Sequence, residues 1–233
     1  MGCKATYISC YVSDGLDKIV QKNINAVLID VDISGNEANN LLTNLALDAM
    51  SDEFDNYTDD YTESFTDSIS PEQQKFMDES PQMYNWSTLT QTQVLFNENY
   101  ILSLRKLNYE YTGGAHGNSS FVNLVFNLHT GYPLKLDDIL KPSEINQISQ
   151  LENGQLRKDY NIQAGHALTD AGFLIDKVES NNNFFITKSG LGFTYNPYEI
   201  APYVFGSVNV IIPWNQLQPL INPNGPLAWA IKK

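Results

Sequence analysis

A glycine-rich segment at the middle of the chain, residues 109–118, is the first place where the residue types could support chemistry. It reads Tyr-Glu-Tyr-Thr-Gly-Gly-Ala-His-Gly-Asn. Its glycines indicate positive φ or a close approach by another segment. A phosphate-binding loop requires a helix after the glycines, with its amides aimed at the anion. A strand pattern follows instead, so we expect His116 to hydrogen-bond within the loop. Contact with a ligand, shared with Tyr111, Thr112 and Asn118, is the alternative.

Catalytic and metal-binding patterns are incomplete. The three histidines, His116, His129 and His166, lack the i, i+4 spacing of a helical zinc site. Glu110 and Glu199 are the best pair of carboxylates for a glycosidase, which needs two. There is no Gly-x-Ser-x-Gly nucleophile motif. The sequence therefore predicts no catalytic residue, no metal ligand and no cofactor, and a small hydrolase that uses such carboxylates is the alternative.

A tyrosine-rich segment lies further along, where residues 195–203 read Tyr-Asn-Pro-Tyr-Glu-Ile-Ala-Pro-Tyr. Tyrosine rings are amphipathic and lose little entropy on binding, which is typical of recognition surfaces. The prolines are equally typical of a stiff corner that packs into the core. Both interpretations stay open. The candidate binding residues are Tyr195, Tyr198, Glu199 and Tyr203.

The most acidic segment coincides with a long predicted helix. Residues 34–37, Ser-Gly-Asn-Glu, form a capping box, and an apolar stripe continues to about Ser68. Eight acidic residues and no Lys or Arg occur from Asp48 to Asp67. One interpretation is a solvated helix face. The other is a docking surface for a cationic partner, formed by Asp52, Asp55, Asp59 and Asp60.

Composition limits the classes of function. The net charge of −13 disfavours nucleic-acid binding, which needs clustered Lys and Arg. No run of about 18 apolar residues predicts a membrane span, and no leader peptide is recognisable at the start. Cys3 and Cys10 would lie roughly 20 Å apart in one strand, beyond disulfide reach. We therefore expect two isolated thiols, and the Gly2-Cys3 pair makes lipid attachment to Cys3 an alternative.

The elements that must position these residues follow from hydrophobic periodicity and turn signals. A strand at 6–12 and a helix from Asp14 to about Ile29 come first. A short helix at 71–80 follows the acidic helix. Four successive antiparallel strands are predicted at 84–96, 100–111, 119–129 and 132–136, with Asn97-Glu98-Asn99 as the first turn. A helix at 142–160 precedes a hairpin of 183–187 with 192–195. A strand at 207–213, a helical turn at 214–221 and a tail complete the pattern.

Three motifs carry a resemblance to a known family. Besides residues 109–118, residues 126–138 read Phe-x-Leu-x-Thr-Gly-x-Pro-Leu-x-Leu-x-Asp, and a third motif covers residues 190–213. Together they resemble a bacterial cell-envelope family. Its members include the extracellular domain of the lysozyme-sensing anti-sigma-V factor and the non-catalytic N-terminal region of a peptidoglycan deacetylase. Val204 departs from the family pattern, in which a small residue is usual.

The resemblance implies an α+β fold in which helices pack on one face of antiparallel sheet. It implies two associated modules, at residues 1–111 and 112–221, with a tail at 222–233. We therefore expect a non-catalytic extracytoplasmic module that binds a basic protein such as lysozyme or a cell-wall component. A structural lipoprotein domain without a ligand is a further alternative.

Overall fold

The computed structural model describes residues 2–8, 12, 15–29, 39–66 and 69–231. Two compact units result: Met1–Thr92 with Leu107–Ser119 form unit 1, and Gln93–Lys106 with Ser120–Lys233 form unit 2. Helices and two largely antiparallel sheets make up the fold, so the predicted α+β class is confirmed. No helix in the described part of the chain is long and apolar enough to cross a membrane.

The first sheet contains four strands in the order β1-β2-β3-β4. Their bounds are Cys3–Ile8, Trp86–Glu98, Ile101–Tyr111 and Asn118–Asn127. The prediction of four successive antiparallel strands is wrong for the fourth member, because residues 132–136 form no strand. The remaining strand of this sheet is β1, which lies at the opposite edge and runs parallel to β2. Residues 132–136 contribute one isolated bridge, between Phe126 and Pro133. A proline has no amide to donate, so the ladder does not extend there.

The turn between β2 and β3 consists of Asn99 and Tyr100, one residue later than predicted. Both have positive φ, 54° and 60°, as a type I′ hairpin turn requires. Tyrosine is unfavourable in this conformation. Its ring stacks on His129 with centroids 4.0 Å apart, and its carbonyl accepts a hydrogen bond from the amide of Leu128. These tertiary contacts offset the local cost.

Unit 1 carries three helices, α1 (Lys18–Ile29), α2 (Asn39–Thr66) and α3 (Pro71–Glu79). On α1, Ile24 is buried as predicted but Ile19 is exposed. The buried amide of Asn25 instead pairs with both the backbone N–H and the carbonyl of Val12. Ser70 caps α3 through a capping box with Gln73, which confirms the predicted start.

Unit 2 contains the second sheet, in the order β5-β6-β7 with antiparallel pairing. Its strands are Phe184–Ile186, Gly190–Tyr195 and Val208–Pro213. The helices α4 (Leu136–Ile139), α5 (Ile145–Asp159) and α6 (Trp214–Leu217) belong to the same unit. The hairpin and the strand predicted for this region are confirmed.

The core of unit 2 is large and extends into the C-terminal segment. Ile148, Leu156 and Phe193 are fully buried. Leu227 joins the same core, and the Trp229 ring stacks on Phe96 with a centroid separation of 5.8 Å. Several sequence predictions fall outside the described residues: the strand continuation to Cys10, the helix start at Asp14, the capping box at 34–37, Asp67, and the helix end at about Ser68.

Candidate functional site

The glycine-rich loop of unit 1 has the backbone that its sequence predicts. Gly113 and Gly114 have φ of +101° and +85°. A Cβ atom on Gly113 would lie 2.8 Å from the carbonyl oxygen of Met83, and one on Gly117 would collide with the Tyr109 ring. Positive φ and close approach therefore both occur here, and the glycines are structural requirements.

The candidate binding residues of this loop are placed by short-range contacts. Tyr111, at the end of β3, donates its hydroxyl to the Gly114 carbonyl at 3.1 Å. His116 is exposed, and its Nδ1 lies 3.0 Å from the Gly117 carbonyl. Thr112 and Asn118 are exposed. The contact of His116 with the backbone agrees with a loop-stabilising role, and ligand binding stays a prediction.

The acidic helix α2 displays its carboxylates to solvent. Asp52, Asp55, Asp59 and Asp60 are all exposed. The opposite stripe packs into an aromatic cluster, in which Tyr57, Tyr61 and Phe65 contact the Trp86 ring at centroid distances of 5.9, 5.4 and 6.1 Å. The helix is therefore held by its aromatic stripe, and its charged faces remain available to a partner.

The tyrosine-rich segment of unit 2 divides between core and surface. Tyr195, the last residue of β6, is 3 % exposed. Tyr198 is 60 % exposed and Glu199 is also exposed. Tyr198 has a φ of 70°, which is unfavourable for a bulky residue. Its ring lies 6.1 Å from that of Tyr203. Tyr195 therefore packs inside, as one interpretation predicts, whereas Tyr198 is exposed and its role in recognition stays a prediction.

The hydroxyl of Tyr195 belongs to a buried polar network that the sequence did not indicate. Glu152, on α5, is fully buried. Its Oε1 lies 2.9 Å from the Tyr195 hydroxyl, and its Oε2 accepts a hydrogen bond from Ser180. The Tyr195 hydroxyl also lies 3.0 Å from the backbone carbonyl of Glu179. Burial raises the pKa of Glu152 to about 7, against the lowering effect of the Ser180 and Tyr195 hydrogen bonds.

Counting protons in this network indicates that Glu152 is neutral below that pKa. The Tyr195 hydroxyl has one hydrogen but faces two acceptors, Glu152 and the Glu179 carbonyl. Both contacts become hydrogen bonds if Glu152 is protonated, donates to Tyr195, and Tyr195 donates to the carbonyl. A buried carboxyl without a cationic partner gains from such neutralisation. The raised pKa and the two acceptors around one hydroxyl hydrogen therefore both favour the neutral acid.

A signal for Glu152 was present in the sequence. Ile148, Glu152 and Leu156 are spaced four residues apart, so the acid occupies the buried stripe of α5. Its partners Ser180 and Tyr195 lie 28 and 43 residues away. Local patterns do not reveal partners at that separation.

A second unpredicted cluster surrounds Arg105, on β3. Its Nε donates to Asn123 Oδ1 at 3.0 Å, and its Nη2 donates to Thr194 Oγ1 at 3.0 Å and Asn209 Oδ1 at 2.8 Å. These acceptors lie on β4, β6 and β7. None of the ion pairs in the described residues involves Arg105. Three of the five N–H groups of the guanidinium are thus paired with neutral oxygens.

Aromatic faces complete the environment of Arg105. The guanidinium carbon lies 4.4 Å from the centroid of the Phe185 ring and 5.3 Å from that of Phe121. Such contacts stabilise a partly desolvated cation electrostatically. Burial still lowers the pKa of Arg105 from its usual value, but a guanidinium stays protonated in proteins. We interpret the cluster as a link between strands of unit 2.

The described residues contain no group of three or more His, Cys, Asp or Glu side chains placed to hold a metal ion. Of the proposed carboxylate pair, Glu110 belongs to unit 1 and Glu199 to unit 2, and both are exposed. Cys3 is a free thiol.

Comparison with protein families gives two matches on this chain. Residues 11–119 match the model of a family described as deacetylase PdaC. Residues 137–215 match the model of DUF3298, a protein family of unknown function. The comparison with curated proteins finds no match. The two matches confirm the predicted resemblance to paired domains of unknown function that include a deacetylase region.

Two solved structures have a similar fold. A member of the DUF3298 family from Bacteroides fragilis NCTC 9343 is 22 % identical, with a TM-score of 0.76 over 98 % of this chain and 88 % of that one. A DUF3298 family protein from Pseudomonas aeruginosa PAO1 is 20 % identical, with a TM-score of 0.51 over 64 % of this chain and 69 % of that one. At these identities the likeness concerns the fold alone.

Proposed function

We propose that this chain, which joins a PdaC-like region to a DUF3298 region, is a non-catalytic binding module of the bacterial cell envelope. The observation that carries the proposal is the pairing of the two regions in one chain. An extracytoplasmic location, with or without a lipid on Cys3, belongs to the same proposal. Support for binding over catalysis comes from the two polar networks around Glu152 and Arg105, whose side chains are hydrogen-bonded to one another.

The acidic faces of α2 decide the class of partner that we propose. Within the described part of that helix, seven acidic residues occur from Asp48 to Glu63 without a Lys or Arg. A basic protein of the lysozyme class fits such a surface. Opposite electrostatic fields speed diffusional encounter and fix orientation, and they contribute less to the lifetime of the complex.

Surface plasmon resonance with a basic lysozyme tests this partner. We expect association that slows as the ionic strength rises, because screening shortens the Debye length to about 10 Å near 0.1 M salt. Replacing Asp52, Asp55, Asp59 and Asp60 together by Asn should lower the association rate and flatten its salt dependence. The dissociation rate should change less, since exposed charges contribute little once the complex has formed.

A control variant with the same net charge as the α2 variant separates the effect of the α2 surface from the effect of the total charge of the protein. It neutralises four other acidic residues: Asp137, Glu144, Asp159 and Glu179. If this control slows association as much as the α2 variant does, the acidic helix is not the docking surface. If no binding is seen at tens of micromolar, the lysozyme class is wrong. Clearing of purified cell walls that stops on Glu110→Gln or Glu199→Gln would instead establish the hydrolase alternative.

A further inference from the structure

An open cavity of about 360 Å³ lies in unit 2, after the end of α5. Its volume is at the lower end of the range for small-molecule sites, about 300–1,000 Å³. The segment after α5 forms its walls, with these lining residues: Tyr160, Asn161, Ile162, Gln163, His166, Asp170 and Ala171. Neither the PdaC-like match nor the DUF3298 match assigns a role to it.

One of the lining side chains, Tyr160, is an aromatic ring held in place by two other rings. Tyr160 stacks on Phe205 with centroids 5.9 Å apart and an interplanar angle of 25°. The ring of Phe173 meets the Tyr160 ring edge-on, with their centroids 4.9 Å apart. Tyr160 nevertheless stays 38 % exposed. A rigid ring with an accessible surface provides contact area at a small entropic cost.

The polar walls are fixed by the backbone. The helix ends in a Schellman arrangement, in which the amide of Ile162 donates to the Arg157 carbonyl at 2.8 Å and Asn161 has a φ of 55°. Arg157 donates its Nη1 to the His166 carbonyl at 2.6 Å. The loop is therefore held independently of the outward side chains, and a ligand would meet a preformed site.

The lining chemistry selects the ligand class. Asn161 and Gln163 each present both donors and an acceptor. His166 lies 3.5 Å from the Asp170 carboxylate through Nδ1, and Asp170 also accepts from the Ala167 amide at 2.9 Å. No Lys or Arg is among the lining residues, and the Arg157 guanidinium beside them is bound to the His166 carbonyl. A ligand ring that has apolar C–H faces and several hydroxyls would complement the Tyr160 ring and the side-chain amides of Asn161 and Gln163.

We propose that this cavity binds a neutral saccharide of one or two rings. One face of the sugar packs on Tyr160, and its hydroxyls exchange hydrogen bonds with Gln163 and the His166–Asp170 pair. Open sites of this size, with few charged contacts, bind weakly. We expect dissociation constants in the millimolar range, roughly −4 kcal/mol of binding free energy.

Titration of the full, ¹⁵N-labelled chain by NMR tests the proposal. The probes are maltose, cellobiose and diacetylchitobiose, up to about 20 mM, where a millimolar site would be mostly occupied. We expect saturating shifts of the amides of residues 160–171 with at least one probe. The Gln163→Ala/His166→Ala variant should weaken that binding at least tenfold, because both side chains point to solvent and their backbone contacts remain.

Two further variants and a control make the outcome decisive. The control His129→Ala/Gln150→Ala removes the same residue types outside the cavity and should bind like the native protein. Tyr160→Phe should retain binding, whereas Tyr160→Leu should lose it. Absence of saturating shifts at 160–171 with all three sugars overturns the proposal. Unchanged binding in the Gln163→Ala/His166→Ala variant does so too, as does binding of a simple amine such as cadaverine in place of the sugars.

Discussion

Two clusters in unit 2 hold an ionisable group without an ion-pair partner among the described residues, and they do so in different ways: Arg105 is half-buried and Glu152 is fully buried. Arg105 remains a cation among neutral oxygens and aromatic faces. Glu152 sits among hydroxyls and takes up a proton, because burial raises its pKa to about 7. A guanidinium cannot give up its charge in a protein, so the fold must supply acceptors for it. A carboxyl can be neutralised, so the fold needs only to donate to it and to accept from it.

The largest effect is expected from removal of the guanidinium. Arg105→Met should lower the free energy of unfolding by about 3 kcal/mol, because it orphans the Asn123 oxygen and removes the contacts with Phe121 and Phe185. Urea denaturation measures the change. Lys158→Met, on the exposed side of α5, is the control and should change stability little. A loss below about 0.5 kcal/mol in Arg105→Met would mean that the cation is not a structural link.

The second prediction concerns the pH dependence that Glu152 contributes. The ordinary pKa of 4.5 applies in the unfolded chain and about 7 in the folded one. Between these values the folded protein binds more protons, so its free energy of unfolding falls as the pH rises from 4.5 to 7. The contribution of Glu152 to that fall is roughly 3 kcal/mol, and it levels off above pH 7.

The amide variant isolates this contribution. Glu152→Gln can donate and accept as the neutral acid does, so its stability relative to the native protein should grow as the pH rises from 4.5 to 7. Urea melts at several pH values measure the difference between the two proteins. Glu179→Gln, a neighbouring exposed side chain, is the control for the loss of a nearby charge. A constant difference for Glu152→Gln between pH 4.5 and 7 would show that burial does not raise the pKa of this carboxyl.

A smaller effect is expected from the hydroxyl that shares the proton. Tyr195→Phe keeps the ring in the core but leaves Glu152 Oε1 and the Glu179 carbonyl without their partner. We expect a loss of about 1–3 kcal/mol. The loss should be larger above pH 7 than below it, because the ionised carboxylate depends on this donor. Equal losses at pH 5 and pH 8 would show that the hydroxyl does not interact with the titrating group.

The two clusters also show where sequence reasoning succeeds and fails. Alternation of apolar and polar residues predicts most strands of both sheets, and the glycines predict the loop that follows β3. Both signals are local in sequence. The parallel partner of β1 lies about eighty residues away in register, with Cys3 opposite Trp86, and alternation does not specify it. The hydrogen bonds that Arg105 donates reach partners as far as 104 residues away in the sequence.

The candidate residues were predicted less completely than the strands. The tyrosines and prolines of residues 195–203 drew attention to this segment, but composition did not distinguish the buried Tyr195 from the exposed Tyr198. The acid in the buried stripe of α5 was visible at helical spacing, but its meaning depends on Ser180 and Tyr195, which only the fold brings to it. Residue types therefore identified segments, whereas burial and distant partners determined the chemistry of each side chain.

The smallest expected effect comes from giving Arg105 the counter-charge that it lacks. Asn209 is exposed, and its Oδ1 accepts from both Arg105 Nη2 and Thr194 Oγ1 at 2.8 Å. Asn209→Asp preserves this acceptor geometry and adds a negative charge. If neutral acceptors already satisfy the guanidinium, the new ion pair should stabilise the protein by less than about 1 kcal/mol, as for other exposed pairs. Added salt should screen the gain away.

The size of that gain tests the comparison directly. Urea melts of Asn209→Asp at low and high salt, at a pH where the new carboxylate is ionised, give the measurement. A salt-resistant gain of several kcal/mol would mean that Arg105 is an unsatisfied buried cation, and that its neutral surroundings do not balance its charge. A small, salt-sensitive gain would mean that amide oxygens and aromatic rings already stabilise the charged guanidinium. Glu152 differs because a carboxyl has a neutral form available near pH 7, whereas a guanidinium does not.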